Sequence, residues 1–139
     1  MSVLLGEPYP ALGEFPDWER VAIDGLTPIT YTCSTLPPTD DLLQAALPLI
    51  QARRIGGKLD LNAITDTAIM SFVVYSLKRS QAQQIATQIR EAVLSWPGTS
   101  VNGVLVDWAE ERIGNQEIAD MDQLNRTVEV CFRLDARRQ

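Results

Sequence analysis

The stretch Ile69-Met70-Ser71-Phe72-Val73-Val74-Tyr75 decides the fold. It is the most apolar run of the chain and is dense in β-branched and aromatic side chains, so it reads as a central strand covered on both faces. Directly after it, Ala82, Ile85, Ala86, Ile89 and Val93 repeat at helical spacing, with Ser80 and Gln83 at capping-box distance. That helix closes before Trp96-Pro97-Gly98, and its outer face of Gln81, Gln84, Gln88 and Glu91 is a solvated surface with no cluster of catalytic groups. A strong strand followed by a strong amphipathic helix places the chain among sheet-and-helix folds.

Toward the C-terminus, Val101 to about Arg112 reads as a strand with Val104, Val106 and Trp108 on one side, followed by a loop through Gly114 and Asn115. The last strand has the cleanest two-fold period. Leu124, Val128, Val130, Phe132 and Leu134 alternate with Asn125, Thr127, Glu129, Cys131 and Arg133, so one face packs and the other is wet. Asp135 to Gln139, with Arg137 and Arg138, reads as a mobile or partner-bound tail. Toward the N-terminus, Leu49 to Ile55 reads as a strand carrying Arg53 and Arg54 near its end. Gly56-Gly57 then opens a loop reaching to about Asp66, which exceeds the ordinary connection of two to six residues and suggests an interaction loop. Thr39, Asp40 and Asp41 supply an N-cap and first-turn acids for a short helix that Pro48 ends. Before it, Ile29, Tyr31 and Cys33 alternate with Thr30, Thr32 and Ser34 in a half-buried strand. Trp18, Val21, Ala22 and Gly25 mark a first helix, closed by Gly25 and Pro28. Residues 1–16, with Pro8, Pro10 and Pro16, form an arm, either a floppy terminus or an extended strap on a neighbour; Val3, Leu4, Leu5, Tyr9 and Phe15 favour the strap. The sum is a single α+β domain over residues 17–139: a mixed or antiparallel sheet of about five strands packed by two main helices on one side.

Composition narrows the chemistry. The 139 residues suit one core, and no apolar run approaches the ~20 residues that span a bilayer. The start lacks the basic region of a secretory signal, which leads us to expect intracellular synthesis. Twelve basic against 18 acidic residues, a net charge of −6, oppose non-specific adhesion to nucleic acid or anionic lipid. Histidine is absent, and with it the commonest general base and metal ligand. Cys33 and Cys131 lack metal or redox spacing and read as reduced, half-buried strand residues. Asp40-Asp41, Glu110-Glu111 and Asp120/Asp122 are the acidic pairs; neighbours on a strand point apart, and Asp40-Asp41 belongs to a helix start. Gly56-Gly57-Lys58 lacks the spacing of a phosphate loop. Neither a catalytic set, nor a cofactor site, nor a metal site emerges. Ten of the 12 cations are arginine, which suits carboxylate pairing across protein interfaces, although a GC-rich genome produces the same bias.

In order and spacing the chain resembles the tail terminator, or tail completion, proteins of long-tailed bacteriophages, from about Asp17 to Arg138. The resemblance is carried by a first helix closing into Thr27-Pro28, a strand ending in Leu36-Pro37, and Leu47-Pro48-Leu49-Ile50 leading to Arg54-Ile55-Gly56-Gly57. Further on come Phe72-Val73-Val74-Tyr75, the helix from Arg79-Ser80-Gln81-Ala82 to Ile89-Arg90, Val101-Asn102-Gly103-Val104, and the closing strand Asn125 to Phe132 with arginines after it. The arm at residues 1–16 departs from the family pattern. The resemblance implies a virion protein without enzymatic activity, made in the host bacterial cytoplasm. Six copies would form a ring that caps the head-proximal end of the tail tube, ends tube growth and joins the tail to the neck. Its partners would be copies of itself, the tail tube protein and a neck or head-completion protein; DNA would pass through the channel without specific binding, past acidic surface that repels it. Ring closure needs heterologous contact between unlike faces. The candidate contact residues, chosen by position, are Arg53, Arg54, Gly56, Gly57, Lys58 and Asp60 in the mid-chain segment, and Arg126, Arg133, Arg137 and Arg138 at the end. Two rivals share the composition: a head-completion or connector protein, and a small non-viral ligand-binding α+β domain with a concave apolar pocket.

Overall fold

The structure, a computed structural model, describes residues 14–61, 64–118 and 126–139, and the side chains of these except 113–118 and 126. Most of the expected arm therefore lies outside the described residues. The elements run α1 (Trp18–Leu26), β1 (Tyr31–Cys33), α2 (Asp40–Ala46), β2 (Leu49–Leu59), β3 (Thr65–Ser76), α3 (Arg79–Leu94), β4 (Ser100–Val101), β5 (Val104–Leu105), β6 (Trp108–Ile118) and β7 (Arg126–Arg137). Five strands form one mixed sheet in the order β1-β2-β3-β7-β6. β1 lies parallel to β2, and every other pair is antiparallel. The expected α+β class and five-stranded sheet are what the structure shows.

Local chemistry sets the helix ends. Asp17 accepts the Arg20 N–H to cap α1, and Thr39 accepts the Leu42 N–H to cap α2, with Asp40 and Asp41 in its first turn. α3 departs from expectation: it begins at Arg79, its N-cap Lys78 makes no side-chain cap, and the Ser80–Gln83 box is not used. Ser76 instead accepts the Lys78 N–H and donates to Gln81, because β3 delivers that hydroxyl directly beneath the helix start. Gly25 does not end α1, which continues to Leu26. A Cβ there would lie 2.5 Å from the Trp96 ring, so the glycine allows the close packing of α1 on the indole.

β3 organises the core. Its Ala68, Met70, Phe72 and Val74 face α1 and α3, joined by Ile50 and Ala52 of β2 and by Val128, Val130, Phe132 and Leu134 of β7. The helices supply Trp18, Val21, Ala22 and Leu26, and Ala82, Ile85, Ala86, Ile89 and Val93. Phe72 and Phe132 meet with ring centroids 6.0 Å apart. The expectation of a strand covered on both faces is corrected: α1 and α3 pack on one face only. On the other, Ser71 and Val73 are buried among their neighbours while Thr67, Ile69 and Tyr75 stay part-open. The opposite face of β7 is likewise less wet than its alternation suggests, since Thr127 and Cys131 are buried.

Three loop readings also change. The segment after Gly56 is no long loop: β2 runs to Leu59 and β3 starts at Thr65, so only 60–64 connect them. The glycines sit inside the strand, where the register shifts between Arg54 and Gly56 and Gly57 adopts φ 116°. The expected strand from Val101 to Arg112 is split into β4, a turn at Asn102-Gly103 with φ 51° and 76°, β5 and the start of β6. β6 then continues through the residues expected to loop at Gly114 and Asn115. Finally, the C-terminal residues are tied down. The Arg138 N–H bonds the Ile64 carbonyl, and Glu14 and Gln139 exchange backbone hydrogen bonds at 3.2 and 2.8 Å.

Candidate assembly surfaces

With both main helices on one face, the sheet presents an opposite face free of α1 and α3, and two edges. On this face register brings Lys58 of β2, Thr67 and Ile69 of β3 and Arg133 of β7 side by side. Together with Gly57 and Arg112 they line an open groove of about 490 Å³. Arg133 is held by Asp135 through hydrogen bonds of 3.3 and 3.2 Å, while Lys58 and Arg112 have no ion-pair partner among the described residues. A chain of net charge −6 thus gathers three cations in one groove.

Arg54 belongs to the scaffold. Its guanidinium pairs with Asp66 in a bidentate bridge, both contacts 2.8 Å, and also donates to the carbonyls of Gly56 and Thr67, clamping the irregular part of the hairpin. Asp60 serves the turn by accepting the N–H groups of Ile64 and Thr65. Arg53 is exposed and without a partner among the described residues. Gly56 and Gly57 shape the strand. Arg137 is bound to Asp107 by its N–H and its guanidinium, which drives that already high pKa further up. Arg138 stacks on Phe15 at 4.0 Å from the ring centroid. These last two border a second hollow of about 210 Å³ with Ile64, Leu105, Asp107 and Gln139. The side chain of Arg126 lies outside the described residues.

Arg126 aside, the other nine candidates divide. Gly57, Lys58 and Arg133 meet in the groove, Arg137 and Arg138 meet at the chain end, Arg54, Gly56 and Asp60 hold the hairpin, and Arg53 stands apart. Sequence reasoning missed Arg112, which the offset of β6 brings to the groove, and the exposed apolar side chains Ile55 and Leu59 on β2 and Trp108 on β6. Trp108 was expected on the packed side with Val104 and Val106, yet it is 52% exposed, because β5 ends before it and β6 turns it toward the rim. Both cysteines are unpaired and buried; burial raises both thiol pKa values, with the Glu129 carboxylate adding to the rise at Cys131. Among the described residues no group of His, Cys, Asp or Glu is arranged to hold a metal, and no helix is long and apolar enough to cross a membrane.

With this geometry in place, the chain can be compared with known proteins. The profile of the phage tail termination protein family matches residues 14–139. The chain belongs to that family. In this tail termination protein the matched segment runs from Glu14 through β7 to the last residue. No curated protein matches by sequence. Among solved structures, a chain in the virion of a native gene transfer agent particle superposes with TM-score 0.59 at 11% identity, over 81% of this chain and 84% of that one. The bacteriophage SPP1 gp17 protein superposes with TM-score 0.48 at 17% identity, over 83% and 85%. The first likeness is one of fold.

Proposed function

We propose that this tail termination protein acts as a hexameric ring on the head-proximal end of a phage tail tube, stopping tube growth and joining the tail to the neck of the virion. The observation that carries this reading is the family match running unbroken over 14–139. The face opposite α1 and α3 with its open groove, and the exposed Ile55, Leu59 and Trp108, support it as surfaces for neighbouring subunits and for the tube and neck proteins. The arm of residues 1–16, anchored at Glu14 and Phe15 to its own chain end, serves as a strap onto a neighbour, and Arg53, Lys58, Arg133 and Arg126 serve as contact residues. DNA passes the ring without being held, consistent with the net charge of −6. The role is structural rather than enzymatic.

The test is a phage lacking this gene, imaged by negative stain. Tails of uncontrolled length, returned to normal by the chain supplied in trans, support the reading. Tails of normal length that fail to join heads overturn it in favour of a connector. Imaging of the purified protein adds the symmetry: six-fold rings are expected, and twelve-fold rings contradict the terminator.

A further inference from the structure

Two open edges of the sheet, the part of β2 beyond β1 and the outer flank of β6, are chemically complementary. β1 pairs with β2 only at Leu49, Ile50 and Gln51, and the next outward N–H, that of Arg54, is taken by the Glu19 carboxylate of α1 at 3.0 Å. From Ile55 to Leu59 no strand of the described residues lies on the flank of β2 that faces away from β3. At the other side of the sheet β6 has β7 on one flank and no strand of the described residues on the other. Neither strand carries a proline that would block further pairing. β2 from Arg53 to Leu59 contains Arg53, Arg54 and Lys58 and no acid, whereas β6 contains Glu110, Glu111 and Glu117 against Arg112. Arg54 is already matched by Asp66 and Glu111 by Arg90. This leaves Arg53 and Lys58 on β2 and Glu110 on β6 without an ion pair among the described residues, although Glu110 lies opposite Arg133 in the register of β6 with β7. Apolar side chains accompany them: Ile55 and Leu59 are 52% and 43% exposed on β2, and Trp108 lies in the open on β6.

We infer that β6 of one copy pairs antiparallel along β2 of the next copy, seating Trp108 and Glu110 against Ile55, Lys58 and Leu59, and that this is the contact repeated around the ring. The inference rests on the ring reading above. Direction supports it as well. The four long strands β2, β3, β7 and β6 alternate in direction. A copy related by rotation about an axis along the strands therefore brings its β2 antiparallel to the preceding β6. The contact is heterologous, joining unlike edges, as a closed ring requires.

Two charge-reversed chains test it. One carries Arg53→Glu and Lys58→Glu, so both of its edges are acidic; the other carries Glu110→Lys and Glu117→Lys, so its β6 is basic like its β2. Each is supplied alone, then both together, to the phage lacking the gene, and unfolding midpoints confirm that each chain folds like the wild type. The expected result is loss of length control with either chain alone and its return with the mixture, since the two alternate around a ring of even number. Native mass spectrometry of the rings should then show three copies of each. If either chain alone controls tail length, or if the mixture does not, edge pairing is overturned while the terminator reading stands. Failure of the wild-type chain to restore length overturns that reading itself.

Discussion

At Gly57 a Cβ would stand 1.9 Å from the Thr67 carbonyl oxygen, and the backbone is at φ 116°. Gly98 also has a positive φ, 80°, but its Cβ would meet open space. Gly98→Ala should therefore cost only left-handed strain, about 1–2 kcal/mol. Gly57→Ala must move a strand as well and should cost about 3–5 kcal/mol, a difference that urea unfolding of the two variants measures. Two thiols make a second prediction. Burial holds Cys33 and Cys131 above the ordinary value of 9.0, so the folded chain keeps protons that the unfolded chain releases as pH rises past that value. Their contribution to stability is complete below pH 9.0 and is lost progressively above it. Urea midpoints should fall on the alkaline side of that point, and Cys33→Ala with Cys131→Ala should flatten the fall. A fall of equal steepness in the double variant would assign it to other groups. The lack of metal or redox spacing around these cysteines was legible in the sequence; how deeply β1 and β7 bury them was not, since burial depends on neighbours far along the chain.

Among elements, the β2–β3 hairpin shows where local reading stops. Two adjacent glycines ordinarily punctuate a chain, and here they lie within a strand because Arg54 reaches over the irregularity to Asp66 and two carbonyls. Arg54 and Asp66 stand twelve residues apart, and no periodic spacing along the chain announces that they meet. Asp66 is 6% exposed, so Arg54→Met would leave a buried carboxylate unmatched. The expected loss is about 1–3 kcal/mol, the usual cost of an unsatisfied buried group, with hydrogen exchange rising first in residues 53–67. By contrast, α3 and the inner face of β3 were legible, since a periodic apolar stripe states its own partner. Phe72→Ala removes the ring that meets Phe132 and should cost about 3–5 kcal/mol in chemical denaturation.

For the whole molecule, folding and assembly draw on different residues. Trp108 makes one side-chain hydrogen bond, to Glu110, and is otherwise largely in solvent. Trp108→Ala should leave the unfolding free energy of the isolated chain within about 0.5 kcal/mol of wild type. It should weaken ring formation by about 2 kcal/mol or more, the loss typical of a buried aromatic anchor. Native mass spectrometry against denaturation reads the two separately, and equal losses in both would return Trp108 to the core. Fold class and family resemblance were legible because they depend on the order and period of elements. The candidate surface was legible only in part: Lys58 and Arg133 meet because β2, β3 and β7 are adjacent, a non-local fact that no spacing along the chain conveys. The mutual backbone bonding of Glu14 and Gln139 has a last consequence. The described fold begins and finishes at one spot, so a short linker could join those two residues and new termini could be cut at the Asn102-Gly103 turn. Such a circular permutant should keep the sheet and its helices intact, and it would carry fusion partners on the new ends at the Asn102-Gly103 turn, away from the spot where the original ends were joined.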